Sequence, residues 1–413
     1  MRILFISHYF YPEGNAPATR VYEITRRWAA AGHDVTVITA APNVPSGIVY
    51  DGYRNRWRLE ESIEGVHVSR VWTYLAANAG TVRRILSYLS FMTTSFLRGL
   101  RSPRPDLVIA TSPQFFCGWS GRLVAKFRRL PFVLEVRDLW PESIVAVGAM
   151  KPSWKIRFLE FLERKLYDGA RLIVTVGEGY KRKLLERGAE EDRIRILPNG
   201  VDLTSFAPDV DGSQARSEFE LENRFVCAVV GTIGMASGLD IVIRAARLLG
   251  QAGRDEVRFL LVGSGSERER LEAAAEREGL SSIVFAGRLP KERIPEVIAA
   301  SDACLVHLRG LALFETVMPS KIFEAAAMKR PIILGVAGIA AEWLRQAEAG
   351  VCIPPDDETA LLAAVDRLAS DPGLGARLGE NGRAFVAEHH DYELLAARYL
   401  SIVSQLPNGH QAY

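Results

Sequence analysis

Pro198-Asn199-Gly200-Val201-Asp202 decides the fold, because it closes one alternating run of short apolar segments and amphipathic helices, and the same alternation restarts beyond it. Upstream, residues 2–7, 34–39, 107–111, 132–136, 172–176 and 195–197 are rich in β-branched side chains. They read as strands of one parallel sheet buried on both faces, with helices such as 18–31 and 155–167 between them. Downstream, residues 225–231, 257–263, 282–285, 303–307, 331–334 and 350–353 repeat the pattern. Two βα runs of similar size predict an α/β chain made of two doubly wound, Rossmann-like domains with a cleft between them. The stretch from Pro208 to Ser213 is a turn-rich linker, so the expected domains are 1–205 and 206–389, with a final helix at about 390–413 crossing back onto the first.

Composition agrees with that division. A chain of 413 residues is too long for one ordinary core. The four cysteines, Cys117, Cys227, Cys304 and Cys352, lack metal-like spacing and suit a reducing compartment better than a disulfide framework. The short apolar run at residues 1–7 reads as a buried first strand rather than a secretory leader. The net charge of +2 hides an asymmetry. Residues 1–200 hold 30 Lys and Arg against 19 Asp and Glu, while residues 201–413 hold 21 against 30. A basic first half implies an anionic partner there, such as a lipid surface or a lipid diphosphate. Nucleic acid is not expected, since no binding motif accompanies the excess.

The residues suited to chemistry cluster at strand ends. In residues 310–328, Gly-Leu-Ala-Leu-Phe-Glu-Thr-Val-Met-Pro-Ser-Lys-Ile-Phe-Glu-Ala-Ala-Ala-Met, Pro319 and Ser320 mark a helix start, Lys321 adds a cation in its first turn and Glu324 follows one turn later. Free N–H groups and the positive dipole end beside Lys321 make a seat for a diphosphate, and Glu324 can accept two neighbouring ribose hydroxyls. Gly231-Thr232-Ile233-Gly234, after a strand, offers a backbone cradle for phosphates. Arg288, after Phe285-Ala286-Gly287, can lie along the nucleotide while nearby amides read a uracil edge. In the first half, Gly14 lets backbone approach a ligand and Asn15 offers an amide. No Gly-x-Gly-x-x-Gly follows the first strand, which argues against a dehydrogenase. Arg137, Asp138 and Glu142 sit at the carboxyl end of a strand, where ligands bind in open α/β sheets. Asp138 is the candidate acceptor-activating base or sugar contact, with Glu142 as alternative; an Arg137–Asp138 pair that only holds the loop is the competing reading.

Taken in order, the loop at 11–20, Glu135–Ser143, the Pro198–Asp202 hinge, Gly263-Ser264-Gly265, Phe285–Arg288 and the Pro-Ser-Lys-x-Phe-Glu run resemble family 4 glycosyltransferases of the GT-B fold. The resemblance is to the bacterial subgroup that builds cell-surface polysaccharides such as O-antigen, including N-acetyl-fucosamine transferases acting on lipid-linked sugars. It implies a retaining transfer of an N-acetylated or deoxy hexose from a UDP-sugar to a polyprenyl-diphosphate-linked sugar, with no cofactor or metal required. Three positions depart from the family pattern: Arg137 where many relatives have histidine, Ser237 where they have lysine, and Thr316 where the first of two glutamates stands. The Thr316 hydroxyl can still bond a donor-sugar hydroxyl. Two rival readings remain, a sugar-nucleotide 2-epimerase of the same fold and a non-catalytic partner subunit. Asp209-Val210-Asp211 is formally an Asp-x-Asp, but its linker setting argues against a metal, and His389-His390 reads as a surface pair.

Residues 82–100 are apolar and aromatic between Arg83-Arg84 and Arg98, with Arg101 following. Only 13 residues separate Arg84 from Arg98, fewer than the roughly 20 needed to span a bilayer. Two readings fit, an interfacial helix whose arginines meet lipid phosphates and a core helix with charged ends. The first places the protein in the cytoplasm, peripherally attached to the inner face of the membrane.

Overall fold

The computed structural model describes residues 1–44, 46–75, 81–112, 115–137 and 154–406. The chain divides into two units, one of Met1–Asn199 resuming at Tyr392, the other Gly200–Asp391. The division therefore falls at Asn199/Gly200 rather than at 205/206.

The first unit holds β1 (Arg2–Ile6), β2 (Asp34–Ala40), β3 (Arg58–Ile63), β4 (Val66–Val71), β5 (Leu107–Thr111), β6 (Phe132–Val136), β7 (Leu172–Thr175) and β8 (Ile194–Ile196). They form one sheet in the order β3-β4-β2-β1-β5-β6-β7-β8, parallel except for the β3–β4 hairpin. The central strands are apolar on both faces because both are covered. One face packs Phe91, Val124 and Leu166 from the helices Thr81–Arg101, Phe115–Arg128 and Trp154–Asp168. The other packs Val21, Ile24 and Trp28 of the Ala16–Ala30 helix with Leu395 and Tyr399 of the final Tyr392–Ser404 helix. Trp28 Nε1 donates to the Ala396 carbonyl at 2.8 Å, tying that last helix down.

The second unit holds β9 (Phe225–Val230), β10 (Val257–Val262), β11 (Ile283–Gly287), β12 (Ala303–His307), β13 (Ile332–Gly335) and β14 (Gly350–Cys352), all parallel in the order β11-β10-β9-β12-β13-β14. Strand order reverses between β1 and β5 in the first sheet and between β9 and β12 in the second. Such switch points open a crevice at the carboxyl ends of the strands, where ligands of open α/β sheets bind.

The β3–β4 hairpin is absent from the sequence reading above. His390 also differs from it: the side chain is buried, accepts from Trp343 Nε1 at 2.9 Å and stacks on Phe323 at 4.3 Å. It packs behind the Lys321–Ala327 helix instead of lying on the surface. Asp211 is engaged locally, accepting from both the backbone N–H and the hydroxyl of Ser213.

Candidate functional site

At the second switch point the loop after β9 turns at Gly231, whose φ of +142° favours glycine. A Cβ at this position would stand 2.9 Å from Lys321 Cε, so the missing side chain makes room for Lys321 to lie across the loop. Lys321 Nζ meets Glu324 Oε2 at 3.1 Å, with both side chains partly open to solvent. The structure thus brings Gly231, Lys321 and Glu324 together from positions about ninety residues apart in the chain. Thr232 is exposed beside them.

The loop is fixed from several sides. Ile233 N–H donates to the Ser264 carbonyl at 3.0 Å, and Ser237 Oγ donates to the Thr232 carbonyl at 2.8 Å. Ser237, standing where the family pattern has lysine, therefore closes the loop on itself. His307, the last residue of β12, accepts from the Asp356 N–H at Nε2 (2.9 Å), so Nδ1 carries the proton and donates to the Ser237 carbonyl at 2.7 Å. Burial lowers the pKa of this imidazole, which keeps it neutral and preserves the bond from Asp356. Arg309 adds two bonds, Nε to the Met235 carbonyl at 2.6 Å and Nη2 to Asp240 at 3.2 Å. The Leu313–Thr316 side of the site is set by Gly338, with φ of +71°, where any Cβ would lie 2.1 Å from the Glu315 carbonyl oxygen. None of His307, Arg309 and Gly338 is among the candidates taken from the sequence, since each acts through a partner far away in the chain.

The remaining second-unit candidates are placed as follows. Ser320 has helical dihedrals and makes no side-chain cap, so it does not start the helix in the way its residue type suggests. Thr316 Oγ1 donates to the Leu313 carbonyl at 3.3 Å within its own turn. Arg288 is exposed directly after β11.

In the first unit, Asn15 is the cap of the Ala16–Ala30 helix, its amide oxygen accepting from Ala18 N–H at 2.9 Å. That oxygen is committed to the fold, which leaves the side-chain NH2 as the part of the amide that can meet a ligand. Gly14 beside it faces open space. Arg137 follows β6, while Asp138 and Glu142 lie outside the described residues. Behind Arg137 sits a buried ion pair, Arg20 Nε to Glu135 Oε1 at 3.3 Å, both side chains fully enclosed. Arg20 also donates to the carbonyls of Leu197 (3.0 Å) and Pro198 (2.5 Å), fastening the end of the first unit to its sheet. Glu13, also buried, accepts from Asn43 and Val44 N–H, and burial raises its carboxyl to about 7.

The Thr81–Arg101 helix inverts the usual amphipathic arrangement. Its inward face carries Ser87, Phe91, Thr94, Ser95 and Gly99, and Ser95 meets Ser120 of the neighbouring helix at 2.8 Å. Its outward face carries Ile85, Leu86, Leu89 and Leu97, flanked by exposed Arg83 and Arg101, while exposed Arg84 at the helix start lies on the Phe91 side and reaches Tyr88 Oη at 3.3 Å. Arg98 is different, being held by Glu60 (3.0 Å) and Ser69 (2.8 Å) and only 14% exposed, so it belongs to the fold and is not free for lipid. Among the described residues no helix is long and apolar enough to cross a membrane.

Two family models match the chain, "Glycosyl transferase 4-like domain" over residues 15–200 and "Glycosyl transferases group 1" over residues 212–385. A putative colanic acid biosynthesis glycosyl transferase of Escherichia coli, WcaI, is 29% identical over 378 residues, 88% of this chain and 91% of that protein. A D-inositol 3-phosphate glycosyltransferase of Acidothermus cellulolyticus is 32% identical over 398 residues, 91% of this chain and 83% of that protein. Among solved structures, Anabaena Alr3699/HepE in complex with UDP and glucose superposes with a TM-score of 0.71 at 17% identity, covering 98% of this chain and all of that one.

Proposed function

The chain belongs to the family 4 glycosyltransferases of GT-B fold, and from that premise we propose that it moves a hexose from UDP to a polyprenyl-diphosphate-linked sugar during surface-polysaccharide assembly, retaining the donor's anomeric configuration. The observation that carries the donor half is Lys321 lying across Gly231 with its ammonium on Glu324. A nucleoside diphosphate set there meets the Lys321 ammonium at its phosphates and the Glu324 carboxylate at its ribose. Ser320 and the Thr316 hydroxyl lie on the same segment, towards the sugar, and Arg288 lies along the nucleotide. The acceptor half rests on the basic first unit and on the relation to WcaI. Incubation with a panel of UDP- and GDP-sugars, with and without polyprenyl-diphosphate sugars, tests the reading. Transfer to the lipid supports it; donor isomerisation or silence removes it.

Lys321, Arg288 and the loop amides supply the positive charge that stabilises the leaving diphosphate, so no metal ion is needed. Turnover is expected to persist in EDTA and to give a product of unchanged anomeric configuration by NMR. An inverted product, or complete loss of turnover in EDTA that magnesium restores, would falsify this.

The outward face of the Thr81–Arg101 helix docks the first unit on an anionic membrane surface, with Ile85, Leu86, Leu89 and Leu97 entering the interface and Arg83, Arg84 and Arg101 at phosphate level. Each cation near such a surface contributes about 1 kcal/mol. Replacing these three arginines with serine is expected to lower partitioning onto phosphatidylglycerol vesicles on the order of 100-fold at low salt. Wild-type protein that does not float with those vesicles would exclude the docking face.

A further inference from the structure

We propose that Arg137, with Asn199 beside it, is a phosphate receptor on the first unit and takes a phosphate group of the acceptor substrate. This deepens the acceptor half of the function above and rests on it. The fold contains an internal standard for what a structural arginine looks like here. Arg20 is saturated, by Glu135, the Leu197 and Pro198 carbonyls and Asn199. Arg70 is saturated too, by Glu61, the Ala40 and Tyr11 carbonyls and the face of Tyr53. Arg137 is not. Its Nε and Nη1 are closed off from solvent and have no hydrogen-bond partner among the described residues, and its Nη2 reaches Asn199 Oδ1 only at 3.5 Å. The residue as a whole keeps partial exposure, which lies outside those two nitrogens.

Charge bookkeeping gives the same answer. Among the described residues two guanidiniums, Arg20 and Arg137, share the carboxylate of Glu135, and that carboxylate is already engaged with Arg20 at 3.3 Å and with the Thr111 hydroxyl at 3.2 Å. Tyr180 and Tyr392 are the other titratable groups facing Arg137. Burial and the neighbouring Arg20 lower the Arg137 pKa to about 10, so it remains a cation at neutral pH. A buried cation without a counter-charge is costly to fold, whereas one that an incoming anion completes is a binding device. Its place, one residue beyond β6 at the carboxyl edge of the sheet, is where ligands of such sheets bind. A planar guanidinium suits phosphate oxygens in particular. The acceptor's phosphate is the occupant we assign, since Lys321 and Glu324 beside Gly231 already serve the donor.

The test is calorimetry of the full chain, saturated with UDP to fill the donor site and titrated with inorganic pyrophosphate. The wild type is expected to bind one equivalent, Arg137→Gln to bind at least about 10-fold more weakly and Arg137→Lys to fall between. Arg137→Gln should melt no lower than wild type, since it removes an unpartnered charge. It should raise KM for a polyprenyl-diphosphate sugar at least about 10-fold while leaving KM for the donor unchanged. Pyrophosphate that fails to bind the UDP-saturated wild type, or that binds Arg137→Gln equally well, overturns the receptor. A rise in donor KM alone also overturns it, by reassigning Arg137 to the donor. Arg137-dependent pyrophosphate binding without any turnover of polyprenyl-diphosphate sugars upholds the receptor and removes the lipid-linked acceptor instead.

Discussion

Glu324→Ala is expected to lower UDP affinity on the order of 100-fold, about 3 kcal/mol, while hardly changing the stability of the protein. The two halves of that result have separate causes. The Lys321–Glu324 pair is one helical turn long and open to solvent on both sides (39% and 21% exposed), and such pairs contribute about 0–1 kcal/mol to folding. The carboxylate itself, once a ribose sits against it, accepts two charge-assisted hydrogen bonds that nothing else on the Lys321–Ala327 helix replaces. Comparing UDP with uridine locates the effect. Glu324→Ala weakens both ligands, because both carry the ribose, whereas Lys321→Ala weakens UDP and leaves uridine unchanged. Calorimetry giving equal UDP affinity for folded Glu324→Ala and wild type would reject the assignment.

The two sheets were legible because parallel strands buried on both faces leave continuous apolar runs, and all twelve segments read as strands are strands. The hairpin Arg58–Ile63 to Val66–Val71 was not. It sits at the sheet edge, so β3 alternates exposed residues (Arg58, Glu60, Ser62) with half-buried ones and never forms an apolar run. Its turn, Glu64-Gly65, places both residues at positive φ (49° and 79°), a two-residue connection for which Asn-Gly is the stronger signal than Glu-Gly. In the candidate site the division is between local and distant chemistry. Pro319 to Glu324 carries its own meaning within six residues. The tautomer of His307 depends on Ser237 and Asp356, which no spacing announces. Asn15 shows the opposite limit, since the same side chain serves a ligand or a helix cap equally well and only the backbone decides which. Arg98 and His390 repeat the point, each claimed by partners distant in sequence, Glu60 and Trp343.

Arg20→Met is expected to destabilise the first unit by about 3–5 kcal/mol, the range for removing one partner of a buried pair. The side chain is fully enclosed, so nothing from solvent replaces it. Its loss removes the direct bond to Glu135, leaving that carboxylate with the Thr111 hydroxyl and the neighbouring Arg137, and strands the Leu197 and Pro198 carbonyls at the end of the unit. Replacing both partners is a different case. In Arg20→Met with Glu135→Leu neither half of the direct pair is left behind, although Arg137 loses its neighbouring carboxylate, so the double variant should lose less than the sum of the two single variants, by at least about 1 kcal/mol. Urea unfolding followed on the transition of the first unit measures all four corners of the cycle. A single-variant cost below about 1 kcal/mol, or strict additivity, would mean that the pair is relaxed or hydrated and does not fasten residues 197–199 to the sheet.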